Sequence, residues 1–291
     1  MGDQDMRSRT CIVTGGNTGI GLETARGLAR EGATVILACR DEARAEAARA
    51  DIVGSSGAAG RVRVMPLDLA SLASIRAFAA AFREQYGGLH VLVANAGVFP
   101  TKRETTIDGL ELAIGTNHVG HFLLTQELLP QLVEAAPARI VVVSASLQKR
   151  ATLDFEDLQF ERRRFAWTSA YAASKLANVL FTVSLAERLA GTGVTVNALH
   201  PGLVDSELAR HMGPTMRTVT KLLFGAPERG ARTSLFLATD PSVAGVTGKY
   251  FEARVERPMN PIAHDRAARE RLWTLTEEMI AAASRGAAPA P

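Results

Sequence analysis

Short apolar runs rich in β-branched residues alternate along the chain with longer, Ala-rich stretches whose apolar positions recur at helical spacing. The runs at 10–14, 34–39, 61–67, 89–94, 138–144, 193–199 and 248–252 predict seven strands. Helical patterns fill the intervals, near 20–31, 41–53, 71–86, 109–135, 168–190, 227–238 and 265–283. Most strand runs are apolar at every position rather than at every second one, which a strand needs when helices cover both faces of its sheet. Strand and helix in alternation predict a parallel α/β sheet. No Pro/Ser-rich linker and no internal repeat divides the chain, so residues 1–291 are expected to form a single domain. Two stretches are longer than ordinary connections, 147–167 and 203–226, and are expected to act as substrate lids.

A hydrophobic content of 47% is ample for a full core and excludes global disorder. Formal net charge is only +3, and the run Arg162-Arg163-Arg164 follows Glu161, which reads as a solvated loop rather than a nucleic-acid patch. Cys11 and Cys39 are the only cysteines, each inside an apolar run, so a reducing, cytoplasmic setting without disulfides is expected. The apolar runs fall far short of the roughly 20 residues of a membrane span, and the start Met-Gly-Asp-Gln-Asp-Met lacks the basic and apolar regions of a signal peptide. A soluble protein without a membrane span is the expectation.

Two segments bring chemistry into this frame. The first strand runs into Thr14-Gly15-Gly16-Asn17-Thr18-Gly19-Ile20-Gly21, which opens a helix. Glycines there permit a tight turn and let backbone N–H groups approach a pyrophosphate at the helix N-terminus, where the dipole also favours an anion. Tyr171 and Lys175 lie four residues apart in Tyr-Ala-Ala-Ser-Lys and so share a helix face. A free tyrosine has a pKa of about 10. An ammonium beside it favours the phenolate, which would make Tyr171 a proton donor or acceptor near neutral pH. His118 and His121 are three apart on a helix, but no Asp, Glu or Cys nearby completes a metal set, so helix packing is expected of them and no metal.

The spacing TGxxxGxG at Thr14–Gly21, Asn95-Ala96-Gly97 after the fourth strand and Tyr171-x-x-x-Lys175 together resemble the short-chain dehydrogenase/reductase family, over about Thr10 to Tyr250. The resemblance implies a Rossmann-type, doubly wound parallel sheet of about seven strands flanked by helices. It also implies an NAD(P)-dependent enzyme acting on CH–OH groups. Tyr171 matches the family's acid/base, Lys175 the residue that lowers the phenol pKa and bonds the nicotinamide ribose, and Asn117 the residue that holds a water of the proton relay. The family's catalytic hydroxyl comes from the second of two serines at the end of the fifth strand, where this chain reads Ser144-Ala145-Ser146. Counted from the strand, that position is Ala145; counted back from Tyr171, it is Ser146. A one-residue bulge would bring Ser146 into place, and Ser146 is the expected hydroxyl, with Ser144 as the alternative.

The cofactor is expected to contact Gly15, Asn17, Thr18, Gly19, Ile20 and Gly21 in the first loop and Asn95, Ala96 and Gly97 after the fourth strand. Asp68 and Leu69 match the adenine contact, Pro201 and Gly202 the turn against the nicotinamide, and Val204 the carboxamide partner. Arg40 ends the second strand where an acidic residue would hold a free ribose 2′-OH and an Arg suits a 2′-phosphate, so NADP(H) is expected over NAD(H). Within the family the chain is most similar to the retinol dehydrogenase-like branch, through Ala38-Cys39-Arg40-Asp41, Asn117-His118-Val119-Gly120-His121-Phe122, Asp154-Phe155-Glu156-Asp157-Leu158 and Ser174-Lys175-Leu176-Ala177-Asn178. That similarity implies an apolar alcohol or carbonyl substrate. A sugar-nucleotide-type epimerase or dehydratase and a non-catalytic NADP(H)-binding sensor or scaffold stay open as alternatives, as does assembly into a homo-oligomer.

Overall fold

Cys11, Ile12 and Val13 are wholly buried, as are Val35, Ile36 and Leu37, because alternate residues of each strand enter different cores. Ile12 and Ile36 join Phe78, Leu124 and Leu180 on one face of the sheet. Cys11, Val13, Val35 and Leu37 join Ala25, Leu28, Ala45 and Leu237 on the other. A strand covered on both faces has no solvent side, and this is the physical origin of its unbroken apolar run.

A computed structural model describes residues 6–202 and 226–286. Strands β1 (Thr10–Thr14), β2 (Thr34–Cys39), β3 (Val62–Pro66), β4 (Val91–Ala94), β5 (Ala138–Val143), β6 (Val194–His200) and β7 (Lys249–Glu252) pair in parallel in the order β3-β2-β1-β4-β5-β6-β7. The helices are α1 (Gly19–Arg30), α2 (Glu42–Ser56), α3 (Leu72–Gln85), α4 (Leu112–Ile114), α5 (Gly120–Glu134) and α6 (Trp167–Arg188), then Pro227–Thr239 and Arg266–Gly286. Helices α3, α5 and α6 cover the first face, and α1, α2 and Pro227–Thr239 cover the second. Strand order reverses between β1 and β4, the place where open α/β sheets part at their carboxyl ends and bind ligands. None of the described helices is long and apolar enough to cross a membrane.

Among the described residues the sheet has eight strands, not seven. The eighth, β8 (Val255–Glu256), is a two-residue exposed strand antiparallel to β7, reached through Ala253 and Arg254 with φ of 48° and 65°. Two successive positive φ values make the tight hairpin loop, but Ala-Arg carries none of the Asn-Gly signal that usually announces it.

The helix expected at 109–135 is broken in two. Glu111 starts α4 by accepting the N–H groups of Ala113 and Ile114, and a π turn at Gly115–Val119 separates α4 from α5. Gly120 then packs so closely on the Leu69 carbonyl that a Cβ there would stand 2.4 Å away, so α5 is seated directly on the turn after β3.

The segment expected as a first lid, 147–167, is held by its own polar groups. A 3-10 turn, Ser146–Arg150, opens it, and the Asp157 carboxylate gathers the N–H groups of Glu161, Arg162 and Arg163. Asn260 ties it to the body by donating to the carbonyls of Gln148 and Ala151. The second expected lid, 203–226, lies outside the described residues from 203 to 225, and Val204 with it.

Candidate active site

The crevice at the strand reversal is a cleft of about 550 Å³ lined from several segments of the chain. Its floor is the loop after β1. Gly15 and Gly19 have φ of 63° and 54°, the left-handed region where a side chain is strained, and the Gly15 N–H donates to the Ala38 carbonyl at 2.9 Å. Gly21 has a different reason to be glycine, since a Cβ there would fall 2.2 Å from the Gly15 carbonyl oxygen. The Thr18 side chain does not cap the N-terminus of α1, so among the described residues the amides of its first turn are left to an anion. Asn17, Thr18, Gly19 and Ile20 line the cleft beside them.

The walls come from the neighbouring strand ends. Asn95 donates its N–H to Thr14 Oγ1 at 2.9 Å and its side-chain amide to the Thr14 carbonyl at 2.8 Å, clamping the β4 turn to the β1 loop. Ala96, Gly97, Asp68, Leu69 and Pro201 line the cleft as expected, whereas Gly202 does not. Asp68 accepts the Ala70 N–H, and the cap of α3 is Ser71 instead. Arg40 stands exposed at the end of β2 on the cleft wall and makes no ion pair among the described residues. Asp41 caps α2 through the Arg44 N–H, and Arg44 lines the same wall.

Helix α6 presents Tyr171 and Lys175 together to the cleft. Tyr171 packs edge-on against Phe99, with ring centroids 4.6 Å apart, and Phe99 packs in the same way against Trp167 at 4.9 Å. Lys175 is buried, and its ammonium donates to the Val143 carbonyl at 3.0 Å. The expected depression of the phenol pKa is not realised here. The ammonium lies 5.7 Å from the Tyr171 ring centre, and burial dominates both groups, pushing the phenol up to about 12 and the ammonium down to about 8.

Asn117 sits in the π turn with both ends of its amide engaged. Its oxygen accepts the Val98 N–H at 2.7 Å, and its nitrogen donates to the Val98 carbonyl at 3.0 Å and to Ser174 Oγ at 2.9 Å. It is thereby fixed just behind Gly97, where a Cβ would stand 3.2 Å from the Asn117 oxygen and 3.4 Å from the Lys175 ammonium.

The bulge that Ser146 requires is absent. β5 keeps its register to Val143↔Leu199, and Ser144 continues it by donating its N–H to the Leu199 carbonyl. Ser144 lines the cleft, but its hydroxyl donates to the Lys175 backbone carbonyl at 2.7 Å. Ser146 is half-buried at the head of the 3-10 turn and is not among the residues lining the cleft.

Three groups at the cleft were not anticipated. The Cys39 thiol sits under the loop, where burial raises it to about 11 against the pull of the Asn17 and Gly16 N–H groups. Thr116 lines the cleft with a buried hydroxyl that has no partner among the described residues. Phe99 supplies the aromatic wall. A strand-end cysteine or a helix threonine carries no pattern of its own, and only the assembled fold gives them a place.

A nicotinamide dinucleotide fits this donor set. The uncapped amides of α1 suit its pyrophosphate, the glycines leave the room a Cβ would fill, and the Thr116 hydroxyl offers an unused polar group inside the cleft. The first loop, Asp68, Leu69, Asn95 to Gly97, Tyr171 and Lys175 would hold it.

Residues 9–217 match the family model described as short chain dehydrogenase. Retinol dehydrogenase 14 of Mus musculus is 44% identical over 94% of this chain and 86% of the mouse protein. A solved structure of an uncharacterized protein from Mycobacterium paratuberculosis is 35% identical over 95% of both chains, with a TM-score of 0.77. The RhlG/NADP active-site complex of Pseudomonas aeruginosa is 29% identical, covers 86% of this chain and 97% of its own, and has a TM-score of 0.68.

Proposed function

From the premise that the chain belongs to the short-chain dehydrogenase family and is a retinol dehydrogenase-like oxidoreductase acting on CH–OH groups, we propose that it interconverts apolar alcohols and carbonyls with NADP(H). The observation that carries this reading is the cleft itself: Tyr171 and Lys175 stand at one end and Arg40 at the other, with the uncapped start of α1 between them. When bound, the nicotinamide supplies or accepts the hydride. Tyr171, raised to about 12, is a neutral phenol at neutral pH and suits the donation of a proton to the substrate oxygen as a carbonyl becomes an alcohol. Lys175 holds positive charge beside that oxygen, and Asn117 fixes the turn that faces it. Phe99, backed by Trp167, gives the substrate end an aromatic wall, which favours an apolar molecule.

NADP(H) over NAD(H) rests on Arg40. A charge-assisted bond to a 2′-phosphate contributes about 1.5 to 3 kcal/mol. Replacing Arg40 by Ala should then raise the NADPH dissociation constant roughly 10- to 100-fold and leave that of NADH little changed, read by fluorescence titration. Equal affinity of the parent protein for NADH and NADPH would refute the preference.

Tyr171 alone is proposed to bond the reacting oxygen, because the Ser144 proton is committed to α6 and Ser146 stands off the cleft. Ser146→Ala should leave kcat within about threefold of the parent, since its half-buried side chain stands off the cleft. Losing an oxyanion donor costs about 10²- to 10³-fold, so a drop of that size would return Ser146 to the site. A protein that binds NADPH but turns over no aldehyde, ketone or alcohol would be the sensor or scaffold rather than the enzyme.

A further inference from the structure

His121 takes no part in the chemistry above, yet it is wholly buried between the loop after β1 and the start of α5. The bonds around it settle which nitrogen carries its proton. Thr14 Oγ1 accepts the N–H groups of Asn95 and Ala96, both at 2.9 Å, which uses both lone pairs of a hydroxyl. Only its proton is left to give. Two acceptors stand in reach, the Val93 carbonyl at 3.3 Å and His121 Nε2 at 2.9 Å, and the nearer offers the better bond. Nε2 is therefore the bare nitrogen, and Nδ1 donates to the Asn117 backbone carbonyl at 3.0 Å.

The bonds continue without a gap. The Asn117 side chain donates to Ser174 Oγ at 2.9 Å, and the Ser174 hydroxyl donates to the Tyr171 carbonyl at 2.8 Å. Thr14, at the root of the glycine-rich loop, is thus joined through His121, Asn117 and Ser174 to the backbone of the acid/base residue. The middle link is the π turn at Gly115–Val119, an irregular piece of helix whose Asn117 carbonyl is held by the imidazole.

We propose that His121 is a positioning residue, a strut that sets Asn117, and through it Tyr171, relative to the cofactor loop. The proposal rests on the assignment of Tyr171 and Lys175 as the reacting end of the cleft.

Two conservative variants divide the strut, because Asn can place an amide nitrogen where Nδ1 stands and Gln can place an amide oxygen where Nε2 stands. His121→Asn keeps the donor to Asn117 and loses Thr14; His121→Gln keeps the acceptor for Thr14 and loses Asn117; His121→Phe loses both. The first readout is kcat against KM with NADPH and an aldehyde that the parent reduces. The second is hydrogen exchange of the Val98 amide, which bonds the Asn117 oxygen at 2.7 Å and reports its position without any turnover.

The Phe variant should lose about tenfold in kcat with the NADPH dissociation constant within about threefold, and its Val98 amide should exchange about tenfold faster while β2 amides do not change. The Asn variant should recover most of both, and the Gln variant less. Unchanged kcat and Val98 exchange in folded Phe variant would overturn the proposal, as would Gln rescuing better than Asn. If the Phe variant does not fold, the order of Asn and Gln still decides. A parent without turnover would sink the proposed activity, and Val98 exchange would still test the strut.

Discussion

Replacing Tyr171 by Phe is expected to lower turnover by a factor on the order of 10² to 10⁴ while NADPH binding is largely retained. The substitution removes one oxygen. The ring keeps its edge-on contact with Phe99, and the Ser174 hydroxyl keeps its bond to the residue 171 carbonyl, since both depend on groups that Phe also has. What disappears is the transferable proton, and the Ser144 hydroxyl cannot replace it, since it gives its own proton to the helix. Kinetics at saturating NADPH, with a parallel binding titration, separate the two quantities. Near-normal turnover would remove Tyr171 from the chemistry.

Lys175→Met should be nearly as severe, with a loss on the order of 10² to 10³, because it deletes the buried cation presented with Tyr171 to the cleft while leaving the stem to pack. The same lysine sets an alkaline limit. Burial lowers its ammonium to about 8, so the charge is present below that pH and lost above it. In the reductive direction kcat/KM should hold level near neutrality and fall as pH rises through about 8, and the Met variant should lack that limb. A parent profile that is flat to pH 10 would show that charge at Lys175 plays no part.

The parts of this molecule that could be read from its sequence are those whose cause is local. The strands betray themselves because burial on both faces forbids polar residues, the β1 loop because its turn and close packing demand glycine, and Tyr171 with Lys175 because helix geometry alone places them together. What escaped depends on contacts between distant segments or on backbone irregularity. β8 is too short and too exposed to carry a hydrophobic pattern. The π turn is followed at once by the close contact of Gly120 with Leu69, and nothing in residues 109–135 signals that contact. The serine register is hard to read from sequence because spacing to Tyr171 counts residues in a 3-10 turn as though they extended the strand. His121 reads as a packing histidine, and its place in the site rests on a bond to Thr14 across 107 residues.

The most direct test of the account is transfer of deuterium. The protein is given NADPH carrying deuterium in the transferable position at C4 of the nicotinamide, together with a long-chain aliphatic aldehyde, and the product is analysed by mass spectrometry. The account predicts an alcohol with one deuterium on its carbinol carbon and an equal amount of NADP⁺. Bound NADPH with no deuterated alcohol from any aldehyde or ketone offered, or product that acquires its new C–H hydrogen from solvent, would contradict it.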